Sequence, residues 1–156
     1  MNKMSQRFLD DYLKTLDERE KSRYQSFSSD YFCADEVNAN LCADLILKGQ
    51  KVATCSMMYW YEVEGEPLPS VGHLQVVTDW NHKPVCIIET TWVSECKFSN
   101  VTEAFAAKEG EGDLSLDWWR KAHWEFFSKE CLEAGIQPTE DMLLVLEQFK
   151  VVYKGH

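Results

Sequence analysis

Three groups of residues in this chain combine types and spacings that could do chemistry. The first is Lys51 with Thr54, in the run Lys48-Gly49-Gln50-Lys51-Val52-Ala53-Thr54-Cys55-Ser56. A threonine hydroxyl becomes a useful nucleophile once a neighbouring base takes its proton, and a desolvated lysine can be that base. Lys48 and Ser56 flank the pair and are read as ligand contacts. The second group is the acidic loop Glu109-Gly110-Glu111-Gly112-Asp113. A carboxylate there can hold a lysine, bind an amino group or shuttle a proton. Glu109 and Glu111 are both candidates for the acting acid, and Asp113 for a ligand contact. The third is Arg120 with His123, embedded among Trp118, Trp119, Ala122, Trp124, Phe126 and Phe127. These two could bind a phosphate. Each group also has a plainer account: a solvated lysine after a helix, a solvated loop, and polar groups satisfied within a core.

Metal chemistry has no signature here. The acidic loop lacks calcium-loop spacing, and the six cysteines, at 33, 42, 55, 86, 96 and 131, include no CxxC pair. No metal and no cofactor is expected, and the thiols are read as reduced.

The elements that must position these groups can be read from periodicity. Met4, Phe8, Tyr12, Leu13 and Leu16 recur at helical spacing within residues 3–24, and Ser22 to Phe32 reads as a connector. Asp35 to Lys48 reads as a second helix ended by Gly49. Lys51 to Tyr61 favours an extended strand. In a regular strand Lys51 and Thr54 face opposite ways, so they converge only if the chain still bends at Lys51. His73 to Asp79 and Val85 to Val93 form a hairpin around Asn81 and His82. Ser115 is the N-cap of a late helix with Asp117 in its first turn, apolar on nearly every side and so expected to be buried. Leu143 to Tyr153 is a closing strand. Helices and strands mix without a βαβ rhythm, which predicts an α+β fold.

Composition sets the limits. The chain has 156 residues, enough for one domain with a sizeable core, and 45% of them are hydrophobic. No apolar run is long enough for a membrane span and no signal peptide precedes the domain, so a cytoplasmic location without membrane partners is expected. The net charge is −10. That balance opposes binding to long duplex DNA or long RNA and confines any RNA contact to a weak local patch around Lys48, Lys51, Arg120 and Lys121. The rings at Tyr59, Trp60, Tyr61, Trp118 and Trp119 could stack on bases, although most such rings are core.

Taken together, GQKVATCS, GEPLPSVG, VTDWNHKPVCIIETTWV, EGEGDLSLDWWRKAHWEFF and LEQFKVVY, in that order, resemble the ASCH domain. The resemblance runs from about Phe32 to Tyr153, which divides the chain into an N-terminal helix and connector, 1–31, and a domain at 32–156. It implies a PUA-like small β-barrel with flanking helices. It also implies binding of RNA or of a nucleoside or nucleotide, since PUA-like domains commonly bind RNA. Some bacterial ASCH proteins are amidohydrolases that deacetylate acetylated cytidine, and at least one is described as a ribonuclease. In the amidohydrolases a lysine and a threonine three residues later match Lys51 and Thr54, and a glutamate ahead of the late helix matches Glu109 or Glu111. Three functions follow as expectations: hydrolysis of an amide-modified nucleoside, cleavage of short single-stranded RNA, or ligand binding without catalysis.

Overall fold

In the computed structural model, which describes residues 1–155, the core is one five-stranded sheet with helices on both faces. Helices α1 (Lys3–Leu13) and α2 (Glu18–Ser22) lead into strand β1 (Phe27–Asp30) and helix α3 (Glu36–Leu47). Strand β2 (Ala53–Met57), helix α4 (Met58–Glu64) and strands β3 (Leu74–Thr78) and β4 (Pro84–Lys97) follow. A 3-10 turn, helices α5 (Glu103–Glu109) and α6 (Leu116–Glu133), and strand β5 (Leu143–Tyr153) complete the chain. The strand order is β1-β3-β4-β5-β2, with β1 parallel to β3 and the other pairs antiparallel. Among the described residues, no helix is long and apolar enough to cross a membrane.

The α+β class is as expected, but the sheet does not close into a barrel. Strands β1 and β2 are its two edges. Closure needs strands long enough to meet around the sheet, and β2 stops at Met57, where the chain turns into α4. Tyr59, Trp60 and Tyr61, residues that favour strands, are therefore helical, an override of local propensity by packing. Trp60 and Tyr59 lie against the core that contains Ala53, Met57, Trp119 and Phe127. The expected connector before α3 also contains a strand. In β1, Phe27 to Asp30 pair with Leu74 to Val77, so the first 31 residues share the sheet of the domain that follows.

Alternation along β3 and β4 divides the covering helices. Leu74, Val76 and Ile87 pack with Leu9 and Tyr12 of α1. Val77, Cys86 and Ile88, on the opposite face, pack with Ala43 and Ile46 of α3. Helices α5 and α6 seal the β2–β5 end through Phe105, Ala106, Trp119 and Phe127. The anticipated cap at Ser115 is present, its hydroxyl accepting from Trp118 N.

Two turns bring the candidate residues together. After α3, Gly49 takes a left-handed φ of 79°, and the N–H groups of Gln50 and Lys51 both donate to Leu45 O. The bend persists through Lys51, and Val52 then donates to Lys108 O of α5 at 2.8 Å. That helix ends at Gly110, φ 73°, whose carbonyl accepts from Gln50 Nε2 at 2.8 Å. A Cβ at Gly110 would lie 2.7 Å from the Gln50 carbonyl carbon and 2.8 Å from Lys51 Cα, so backbone would have to move. Gly110→Ala adds left-handed strain to that clash and should cost more than about 1 kcal/mol. Urea unfolding midpoints measure this, and an unshifted midpoint would contradict the close backbone packing.

Candidate functional site

The bend after α3 carries Lys51 inward. Its side chain is 2% exposed, so it is not the solvated surface lysine that its position after a helix suggested. The ammonium has three acceptors. Nζ donates to Glu109 O at 3.2 Å, to Glu109 Oε2 at 3.3 Å and to Glu111 Oε2 at 3.1 Å. Burial pushes the lysine's pKa down, but Glu109 and Glu111 outweigh it and the pKa is raised overall. Lys51 therefore holds its proton in the resting site.

Glu109 is as buried as the lysine, with a side chain 2% exposed. Burial alone would raise its pKa. The Lys51 charge, His123 and the neighbouring Cys55 thiol overcome that, leaving it at about 2 against an ordinary 4.5. Its Oε1 atom has no hydrogen-bond partner of ordinary geometry among the described residues. His123 approaches Glu109 Oε2 through Nε2 at 3.2 Å, and its Nδ1 lies 2.9 Å from the Trp119 carbonyl oxygen. Both partners are acceptors, so each contact needs the ring proton on its own side, and a neutral imidazole satisfies one of them at a time. The Trp119 indole stacks on the imidazole at 4.3 Å and 16°. Glu111 is more open, at 20% exposed, with Oε1 3.6 Å from the Cys42 thiol.

These groups floor a cleft of about 380 Å³, within the size range of small-molecule sites. One wall is Phe32, Cys33 and the N-terminal end of α3; the other is Trp118, Ala122 and Phe126 of α6. Thr54 and Cys55 of β2 also reach it. The Thr54 hydroxyl has no hydrogen-bond partner among the described residues. Helix α6 is not buried all round as its composition suggested. Trp119, Phe127 and Cys131 form its buried side, while Trp118 and Phe126 are 37% and 43% exposed and face the opening.

The structure thus gathers Lys51, Thr54, Glu109, Glu111 and His123 and leaves four expected contacts outside. Lys48 is exposed and pairs with Asp44 at 2.7 Å, because it caps α3 before the chain turns inward. Ser56 bonds the Tyr61 hydroxyl at 2.9 Å, next to α4. Asp113 accepts from Ser115 N at 2.9 Å and from Ser115 Oγ, and so shapes the start of α6. Arg120 is exposed and does not line the cleft, although it lies three residues before His123 on α6. Helical spacing makes the two neighbours and could not have separated them. Sequence reasoning missed the Cys33–Cys42 pair and Cys55 beside Glu109, neighbours that meet only in the fold.

Two sets of metal-capable atoms occur among the described residues, Cys33–Cys42–Glu111 and Cys55–Glu109–His123, each within 4.8 Å. In both sets the carboxylate already bonds the Lys51 ammonium. A cation is thus already built into the site.

Fold and cleft together define a small α+β domain built around a buried, charge-paired pocket with an aromatic lip. The chain belongs to the ASCH domain family, whose profile matches residues 28–153. A crystal structure of an ASCH domain from Lactobacillus crispatus JV V101 is 61% identical, with a TM-score of 0.95 over 98% of this chain and 96% of that one. Protein EF3133 from Enterococcus faecalis V583 is 32% identical, with a TM-score of 0.84 over 98% and 90% of the two chains. An ASCH protein from Zymomonas mobilis shares the fold at 9% identity, with a TM-score of 0.50 over 82% and 68%. No protein of curated function matches.

Two outcomes follow from the charge network. Lys51→Ala leaves the Glu109 carboxylate buried without its ammonium, and should destabilise by roughly 3–5 kcal/mol in denaturant melts. A loss below about 1 kcal/mol would mean that the pair is not coupled to folding. Glu109 has a depressed folded-state pKa, so its stabilisation is full above the unfolded value of 4.5 and is lost as pH falls towards about 2. Glu109→Gln should therefore flatten the acid limb of stability against pH relative to the parent protein.

Proposed function

We propose that this ASCH protein is a hydrolase of a small amide-modified nucleoside, acting through Thr54, Lys51 and Glu111, with Glu109 as the fixed counter-ion. The observation that carries the reading is the buried Lys51–Glu109–Glu111 network opening onto a nucleoside-sized cleft that also holds the unpartnered Thr54 hydroxyl. The Trp118 and Phe126 rings offer apolar faces on which a base can stack. The resemblance to deacetylating relatives points to the same pair, Lys51 and Thr54.

The charge state constrains the chemistry. A lysine that keeps its proton cannot take one from Thr54. In the proposed sequence, Lys51 first hands a proton to Glu111, the more open of the two carboxylates. Neutral Lys51 then accepts the Thr54 proton as Oγ1 attacks the amide carbonyl. Glu111 returns its proton to the departing amine, the C–N bond breaks, and water hydrolyses the threonyl ester. Glu109, buried and strongly acidic, stays ionised and orients Lys51 and His123 throughout.

Cleavage of RNA draws less support. Arg120, expected to help Lys51 and His123 hold phosphate, lies outside the cleft. Binding without turnover is the alternative that the saturated lysine favours, since all its donors are already used.

The test is a turnover screen of N-acylated nucleosides and short RNAs with purified protein, its Thr54→Val variant and its Glu111→Gln variant. Valine keeps the branched shape and Thr54 is only half-buried, so stability should stay within about 1 kcal/mol. Turnover of an acylated nucleoside should fall at least about a thousandfold on loss of the nucleophile. Full activity in Thr54→Val would exclude the acyl-threonine route. Ligand binding without turnover by the parent protein would select the binding reading.

A further inference from the structure

We infer that Cys33 and Cys42 form a reversible dithiol–disulfide site at the mouth of the cleft, oxidised and reduced by exchange with low-molecular-weight disulfides and thiols. The proposal is independent of what the cleft turns over.

The geometry is that of an attacking and a resolving thiol. The two sulfurs are 3.0 Å apart, the closest approach between cysteines here. Cys33 is exposed, whereas Cys42 is buried on α3. Cys33 holds a left-handed φ of 73°, which turns the chain back over the first turns of α3. A disulfide bond is about 2.05 Å long, so the sulfurs need approach by only about 1 Å. The other four cysteines make no sulfur–sulfur hydrogen bond with one another.

Burial assigns the roles, with Cys33 at the surface and Cys42 inside, and the electrostatics run the same way. The Cys42 thiol's hydrogen bond is the largest influence on Cys33 and lowers its pKa; Lys51 acts the same way, while burial, Glu111 and Glu109 oppose it. Cys42 is pushed well up by Cys33, burial and Glu111. An exposed thiol favoured as thiolate beside a buried one kept protonated is the arrangement that disulfide exchange uses.

The steps balance. Cys33 thiolate attacks one sulfur of the external disulfide, forming a mixed disulfide and releasing one thiolate. Cys42 then gives up its proton, with Glu111 Oε1 at 3.6 Å as the nearby acceptor, and attacks the Cys33 sulfur. The second external thiolate departs. Two electrons have passed from the protein dithiol to the external disulfide, which leaves as two thiols once protonated. A dithiol reductant reverses the sequence. Oxidation removes the one Cys42 proton that lies between Cys33 and Glu111 and ties the Phe32–Cys33 wall to α3, so the site reports redox state directly to the cleft.

The whole protein is equilibrated with oxidised glutathione, quenched, unfolded and titrated for thiols. Of the six cysteines, four should remain free, peptide mapping should find Cys33 joined to Cys42, and dithiothreitol should restore six. Cys42→Ser should accumulate one glutathionyl group, on Cys33. Cys33→Ser should form neither that adduct nor a disulfide. Six free thiols after oxidation, or a disulfide between other cysteines, would overturn the proposal. So would stoichiometric zinc in the purified protein that protects these two thiols, which would make the pair a metal site instead.

Discussion

The structure depends on keeping one ammonium ion out of water. Moving a charged group of this size into a protein interior costs several kcal/mol even after relaxation, and Lys51 is held there by three acceptors supplied from a single short segment, 109–111. Two of those acceptors are carboxylates, and one is the carbonyl of Glu109 itself. The lysine thus fixes the backbone as well as the side chains of the acidic loop. Glu109 lies 58 positions after Lys51; the chain between them runs through β2, α4, β3, β4 and α5, and the ion pair joins the two ends of that excursion.

The cluster sets one ammonium, Lys51, against two carboxylates, Glu109 and Glu111, with the His123 ring on Glu109. It sits in a chain whose formal net charge is −10. The long-range field therefore discourages polyanions, while the cleft floor offers strong local dipoles. The aromatic lip adds surface for a flat ring.

Much of the scaffold was legible because its signals are local. The Gly49 stop of α3, the Ser115 cap of α6 and the β3–β4 hairpin depend on residues within a few positions of one another. Strand β1 was not legible, because its sequence FSSD offers no apolar alternation and it exists by pairing with β3. Helix α4 was hidden by aromatic residues whose preference for strands yields to packing on the core. In the site, residue types announced Lys51, Thr54 and the two glutamates, but not their burial. Nor could spacing alone show that Glu109 is enclosed and Glu111 partly open, since that difference comes from α5 ending at Gly110. The cysteine pair was invisible for a similar reason. It is made by a left-handed turn at Cys33 that no glycine or proline marks.

The Gly110 contact gives the cleft one immovable jaw. Backbone packs on backbone there, Gln50 bonds the Gly110 carbonyl, and the ammonium stitches the same two segments together. The opposing jaw is built differently. Residues 112 and 114 both have positive φ, and Trp118 leans over Gly112 so closely that a methyl group there would strike its indole. The aromatic lip is thus seated by side-chain fit and a flexible-residue turn, with no charged weld. One rim of the cleft is fixed to the sheet by charge and backbone, and the other rests on the shape of a single indole.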